Sequence, residues 1–258
     1  MIGSIIGDIA GSLHEFSGNK RSEVDLFPRD AEITDDSILT LATCEAILTG
    51  RPYRDVYREF GVCYPEPMGG YGARFSAWLR TPQAGPYNSW GNGSAMRVGP
   101  IGFAGLALED VLAEARRSAA VTHDHPEGIK GAQATAAAIF LARQGSTKEE
   151  LRTFITDRFG YDLKRGVEQI RATYTFNESC AGTVPEALIA ALEANDFESA
   201  IRNAISLGGD ADTVGCIAGG VAQALFKDIP HSFIQEALNR LPSGLKPTAT
   251  MFMERFPG

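Results

Sequence analysis

Two short segments of this sequence set carboxylates and a hydroxyl immediately ahead of an apolar, helix-forming run. They are Thr34-Asp35-Asp36-Ser37 and Gly208-Gly209-Asp210-Ala211-Asp212-Thr213. Each alone reads as an ordinary cap or turn, because Asp and Thr side chains accept hydrogen bonds from the free N–H groups of a first helical turn. Together they imply more. Helix N-termini project their capping side chains outward, so two such ends facing one another would gather four carboxylates and two hydroxyls. Two unit charges about 4 Å apart repel by about 4 kcal/mol at an effective dielectric near 20. Such a cluster either binds cations or shifts its pKa values upward. Oxygen donors without Cys or His select a hard ion, Mg²⁺ or Mn²⁺. If the segments meet, they predict a two-metal site.

Two further segments carry weaker signals. In Ile6-Gly7-Asp8-Ile9-Ala10-Gly11-Ser12-Leu13-His14-Glu15, the glycines at i and i+4 leave one helix face nearly bare, which predicts close packing on another helix. Asp8 reads as a buried acid satisfied by a backbone N–H, and Glu15 as an acid within reach of a nearby site. In Asn88-Ser89-Trp90-Gly91-Asn92-Gly93-Ser94-Ala95-Met96-Arg97, a Gly-Asn-Gly-Ser turn leads into a helix and would offer free N–H groups to a phosphate. No Gly-Lys-Ser/Thr follows, so it is not a P-loop. Trp90 would stack on a base. His123-Asp124-His125-Pro126 makes a poor zinc site, and His123 reads better as a cap or a ligand contact. His14 and His231 receive no role.

The elements that must position these residues are helical. Ser37 to Leu48 follows the Thr34-Asp35-Asp36 caps. Gly131 to Ala142 is Ala-rich and almost uncharged, which predicts a helix buried on all sides. Ser146-Thr147 with Glu150 reads as a capping box before Leu151 to Phe159. Thr183 reads as the N-cap of a helix with Pro185 in its first turn. Val214 to Phe226 has Gly and Ala spaced for a close helix neighbour. The stretch from Tyr64 to Gly105 predicts loops with short helices, where sites tend to sit. Clean period-2 alternation is scarce, so the expectation is one all-α domain over residues 1–258.

Composition narrows the classes. The 258 residues are 44% apolar and 22% charged, enough to bury a large core without disulfides. With 24 Lys and Arg against 32 Asp and Glu, the net charge of −8 argues against a duplex-binding surface. Cys44, Cys63, Cys180 and Cys216 form no CxxC pair, which suits a reducing, cytoplasmic setting. Neither a signal peptide nor a membrane span is expected.

Taken in order, GDIAGSLHE, TDDS, GNGSAMR, THDHPEG and GGDADTVG resemble the ADP-ribosylglycohydrolase family from about residue 2 to residue 226. The resemblance implies an all-α, orthogonally packed fold with a binuclear Mg²⁺ or Mn²⁺ centre. It implies Thr34, Asp35, Asp36, Asp210, Asp212 and Thr213 as metal ligands. It also implies Glu15 as the acid that approaches the metals and gates the cleft. Ser89, Trp90, Gly91 and Asn92 match the loop that holds the diphosphate and adenosine of ADP-ribose, with Gly93 beside them. His123 matches a histidine lining the same cleft. The expected partners are ADP-ribose and an ADP-ribosylated protein or small molecule; the oligomeric state is left open.

The expected reaction is cleavage of the bond between the distal ribose and its acceptor. Glu15, Asp36 or Asp210 would serve as the acid or base, and the sequence does not choose among them. Arginine-directed members carry an acid in a loop where this chain has Pro67-Met68-Gly69-Gly70-Tyr71-Gly72-Ala73-Arg74. That loop, with Gly72 facing substrate, looks more like the branch that cleaves O-linked ADP-ribose. A dimetal phosphohydrolase and a silent ADP-ribose binder are the competing classes.

Overall fold

A computed structural model describes residues 1–257. In chain order the helices are α1 (Ile2–Gly11), α2 (Asp35–Thr49), α3 (Tyr53–Cys63), α4 (Ala73–Arg80), α5 (Gly93–Met96), α6 (Gly99–Ala104), α7 (Leu108–Ala119) and α8 (Pro126–Arg143). They continue with α9 (Lys148–Phe159), α10 (Val167–Thr173), α11 (Cys180–Glu193), α12 (Phe197–Leu207), α13 (Ala211–Phe226), α14 (His231–Arg240) and α15 (Lys246–Arg255). The fold is all-α. Among the described residues there is no strand, only isolated bridges pairing Thr34 with Met68 and Gly91 with Ser179.

The centre of the fold is the antiparallel pair of α1 and α13. Gly3, Gly7 and Gly11 face Gly219, Gly215 and Ala211 in turn. A Cβ at Gly7 would run into the Gly215 carbonyl, closer than any real Cβ sits. The bare face read from Gly7 and Gly11 is therefore real and is matched by the small-residue face of α13. Gln223 Oε1 closes the far end, accepting from the N-terminal amino group at 2.9 Å and from Gly3 N at 2.8 Å. The antiparallel register has a consequence for chemistry. It sets the C-terminal end of α1, and Glu15 just beyond it, beside the N-terminal end of α13.

The third partner is α2, whose N-cap Thr34 accepts from Asp36 N at 3.2 Å. Asp8, fully buried on α1, accepts from Thr34 N (3.0 Å), Ser37 N (3.1 Å), Thr34 Oγ1 (2.7 Å) and Ser37 Oγ. One carboxylate thereby satisfies orphan donors of the first turn of α2 and binds that helix end to α1.

Around this trio, α8, α11 and α12 complete a connected apolar core that runs from Met1 to Phe252. The Ala-rich stretch of α8 is buried almost throughout. Thr147 and Glu150 form the expected capping box of α9. Two expectations are corrected. Helix α11 opens at Cys180, a turn before Thr183, because Ser179 Oγ accepts from Gly182 N at 3.0 Å while Thr183 Oγ1 donates to Asn177 O at 2.8 Å. Pro185 thus lies inside the helix. At α8 the capping histidine is His125, whose Nδ1 accepts from Glu127 N at 3.0 Å, and not His123.

Candidate active site

The N-termini of α2 and α13 meet over the C-terminal end of α1, which fulfils the condition set for a two-metal site. Oxygens of Asp8, Asp36 and Asp212 lie within 4.8 Å of one another, and so do oxygens of Glu15, Asp210 and Asp212. Asp212 belongs to both groups. Thr213 Oγ1 donates to Asp36 Oδ2 at 3.3 Å across 177 residues of sequence, which ties the two helix ends directly. The turn before Asp210 needs two successive left-handed residues, and Gly208 (φ 73°) and Gly209 (φ 75°) supply them at little steric cost. Asp35 is half-buried and faces the cleft, whereas Thr34 is buried behind it.

The electrostatics are those of crowded like charges. Burial first, then Asp212 and Asp8, holds Asp36 well above the usual carboxylate range. Asp35 and Asp212 are raised in the same way. Burial pushes Asp8 and Asp210 up to about 6, against the pull of their hydrogen-bond donors. Glu15, half-buried, is pushed up to about 8 by burial and by Asp212, Asp8 and Glu178. Asp36 Oδ1 is buried without any hydrogen-bond partner. An orphaned carboxylate oxygen inside a carboxylate cluster is costly unless a cation meets it. The donor set, all oxygen, fits a hard divalent ion.

The cluster forms one wall of a cleft of about 390 Å³. Gly72, Ser89, Gly91, Asn92, Gly93 and His123 line the same cleft. Asn92 Nδ2 donates to Asp210 Oδ2 at 2.6 Å and to Thr183 Oγ1 at 3.0 Å, joining the loop to the acids. His123 is buried, with Nδ1 2.8 Å from Thr122 Oγ1 and its ring 5.8 Å from that of Tyr87. Burial, then Arg97 and Arg74, holds its pKa well below the usual value, so the ring is neutral.

The loop differs from its sequence reading in two respects. Its N–H groups are partly spent, since Gly91 N donates to Ser89 Oγ (3.1 Å) and Asn92 N to Glu178 O (2.7 Å). Trp90 does not line the cleft: its side chain faces outward at 49% exposure, and its carbonyl accepts from Cys180 N at 3.0 Å. On either side of Gly91, the Trp90 carbonyl and the Asn92 N–H pair with Cys180 N and Glu178 O, which fixes this loop with the indole toward solvent.

Residues that the sequence did not single out also line the cleft, among them Phe16, Tyr87, Arg97, Phe176 and Glu178. Phe16 and Phe176 stack at its mouth with centroids 5.4 Å apart. A second cavity, about 440 Å³ between α2, α6 and α7, holds no such chemistry. Of its two acids, Asp110 and Glu114, the latter is engaged by Tyr53 and Arg117.

A family model described as ADP-ribosylglycohydrolase matches residues 1–255. The chain is 25% identical to the ADP-ribosylhydrolase ARH3 of Homo sapiens, with 91% of this chain and 87% of that protein covered. It is 33% identical to the ADP-ribosylarginine hydrolase Tri1 of Pseudomonas putida (strain GB-1), over 53% of this chain and 38% of that one. A solved structure titled "ADP-ribosylglycohydrolase-related protein complex" superposes with a TM-score of 0.67 at 26% identity, covering 98% of each chain.

Proposed function

The chain belongs to the ADP-ribosylglycohydrolase family, and we propose that it hydrolyses the bond between the distal ribose of ADP-ribose and an acceptor, releasing free ADP-ribose. The observation that carries this reading is the meeting of the α2 and α13 N-termini with Asp36 Oδ1 left partnerless among carboxylates. Thr34, Asp35, Asp36, Asp210, Asp212 and Thr213 would hold two Mg²⁺ or Mn²⁺ ions; Asp36, Asp210 and Asp212 belong to the two close oxygen groups, which Asp8 and Glu15 complete. When bound, such ions supply Lewis-acid polarisation and a more acidic water.

The remaining work falls to this chain's own residues, acting as one domain. Ser89, Gly91, Asn92, Gly93 and neutral His123 hold the diphosphate end of the ligand, and Gly72 borders the ribose. Asn92 keeps Asp210 aimed into the cleft. The glycosidic bond at the anomeric carbon breaks with its electrons leaving to the acceptor atom, and a water oxygen adds to that carbon. The carboxylates stabilise the positive charge that develops on the sugar. Glu15, facing the cleft beside Asp210 and Asp212, passes a proton to the departing acceptor and recovers one from the attacking water.

For the acceptor, the Gly69–Arg74 stretch borders the cleft without any acid, and Tyr71 is turned back by its hydroxyl donating to Tyr64 O at 2.8 Å. That favours an O-linked acceptor over arginine. Product analysis tests the reaction class. Free ADP-ribose supports glycosidic cleavage, whereas AMP or inorganic phosphate would make the protein a phosphohydrolase.

A further inference from the structure

The segment that carries Glu15 leaves α1 after Ser12 and crosses the mouth of the cleft before α2 begins. It has no regular hydrogen-bonded structure of its own beyond turns, so apart from the Phe16–Phe176 stack its ends must fix it. One end is set by the tight packing of α1 on α13. At the other end, Lys20 Nζ donates to Tyr174 O at 2.6 Å and also to Leu207 O. Both acceptors lie at helix C-termini: Tyr174 is the C-cap of α10, and Leu207 is the last residue of α12. These carbonyls have no partner within their helices, and two negative dipole ends converge on one ammonium. Leu207 directly precedes the Gly208-Gly209-Asp210 turn, and a Cβ at Gly208 would stand 3.1 Å from Lys20 Nζ. The next anchor along the chain is Arg202, which reaches Ser22 O (3.0 Å) and Val24 O (2.9 Å).

We propose that Lys20 is a positioning residue: by bridging Tyr174 O and Leu207 O it pins the far end of the Glu15 segment to the turn that presents Asp210. The proposal rests on the glycohydrolase reading for its kinetic consequence, but its structural half stands apart from it. Without the ammonium, the span from Ser12 to Ser22 is held only by the exposed Phe16–Phe176 stack, and Glu15 loses its fixed place beside Asp210 and Asp212. The metal ligands themselves stay on α2 and α13.

The experiment compares Lys20→Met and Lys20→Arg in the full chain. Its readouts are steady-state ADP-ribose release with Mg²⁺ and hydrogen exchange of the substrate-free protein. A misplacement of about 1 Å costs about 100-fold in rate. Lys20→Met is therefore expected to lower kcat by about 10-fold to 100-fold with KM within about twofold of wild type. It should speed exchange across residues 13–19 and leave α13 protected, and Lys20→Arg should restore most of both. Wild-type kcat in Lys20→Met, unchanged exchange in residues 13–19, or loosening of α13 along with that segment would each overturn it. If the wild-type protein releases no ADP-ribose, the functional reading fails, and the exchange comparison alone decides the role of Lys20.

Discussion

Asn92 Nδ2 sits 2.6 Å from Asp210 Oδ2, although 118 residues separate the two in sequence. This bond joins the glycine-rich loop to the carboxylate cluster and orients an acid that would otherwise turn away from its like-charged neighbours. Outer hydrogen bonds of this kind are worth about 10-fold to 100-fold in metal affinity or activity. Asn92→Ala should lose that much turnover while its helices stay folded by circular dichroism. Unchanged turnover would show that Asp210 needs no such support.

Asp212 stands in both oxygen groups and is raised by burial and by Asp210. Asp212→Asn should abolish turnover, yet raise the melting temperature of the metal-free protein because a buried like charge is gone. The rise in melting temperature that Mg²⁺ gives wild type should vanish in the variant. Near-wild-type turnover, or an undiminished Mg²⁺ shift, would count against the site.

Stability should depend on pH in a definite direction. Asp8 and Asp210 are pushed up to about 6 and Glu15 to about 8, chiefly by burial, with Asp36 and Asp212 raised as well. Unfolded carboxylates titrate near about 4. Between about pH 4 and about pH 8 the folded chain keeps these carboxylate protons; the buried Met1 amine and the two lowered histidines, His14 and His123, act the other way but are fewer, so stability falls as pH rises. In EDTA the melting temperature should drop from about pH 5 to about pH 8. Cations bind the ionised carboxylates, so Mg²⁺ should stabilise more strongly at the upper end. A metal-free melting temperature that climbs across this window would contradict the crowded-carboxylate picture.

The small-residue contact of α1 with α13 is what aligns Asp8, Asp212 and Glu15. Gly7→Ala forces a methyl against the Gly215 carbonyl, which is backbone and cannot move aside. Overpacking of this kind costs about 1–3 kcal/mol. Urea unfolding should show that loss, with residual activity falling together with folded fraction. An unaffected midpoint would mean that the helices can separate without penalty.

The parts of this arrangement that were legible in the sequence are those with a local signature. Thr34-Asp35-Asp36 and Asp210-Ala211-Asp212-Thr213 announce helix N-termini by residue type, and the Gly7 and Gly11 stripe announces a close neighbour. The role of Asp8 was half legible. Its burial and hydrogen bonds were expected, but its donors come from α2, which no local pattern names. Trp90 is not placed by any local pattern, because its backbone is held by Cys180 N, a contact between distant loops. The same holds for Phe16 and Phe176, whose stacking depends on two loops meeting over the cleft. The start of α11 was missed because Ser179 and Thr183 are both competent caps, and Asn177 O decides between them.

The most direct test of the central claim is release of free ADP-ribose from matched serine-linked and arginine-linked peptides, each with Mg²⁺ and with EDTA. The account predicts release in Mg²⁺, faster from the serine-linked peptide, and none in EDTA. Release that persists undiminished in EDTA, or absence of release from both peptides in Mg²⁺, would contradict it.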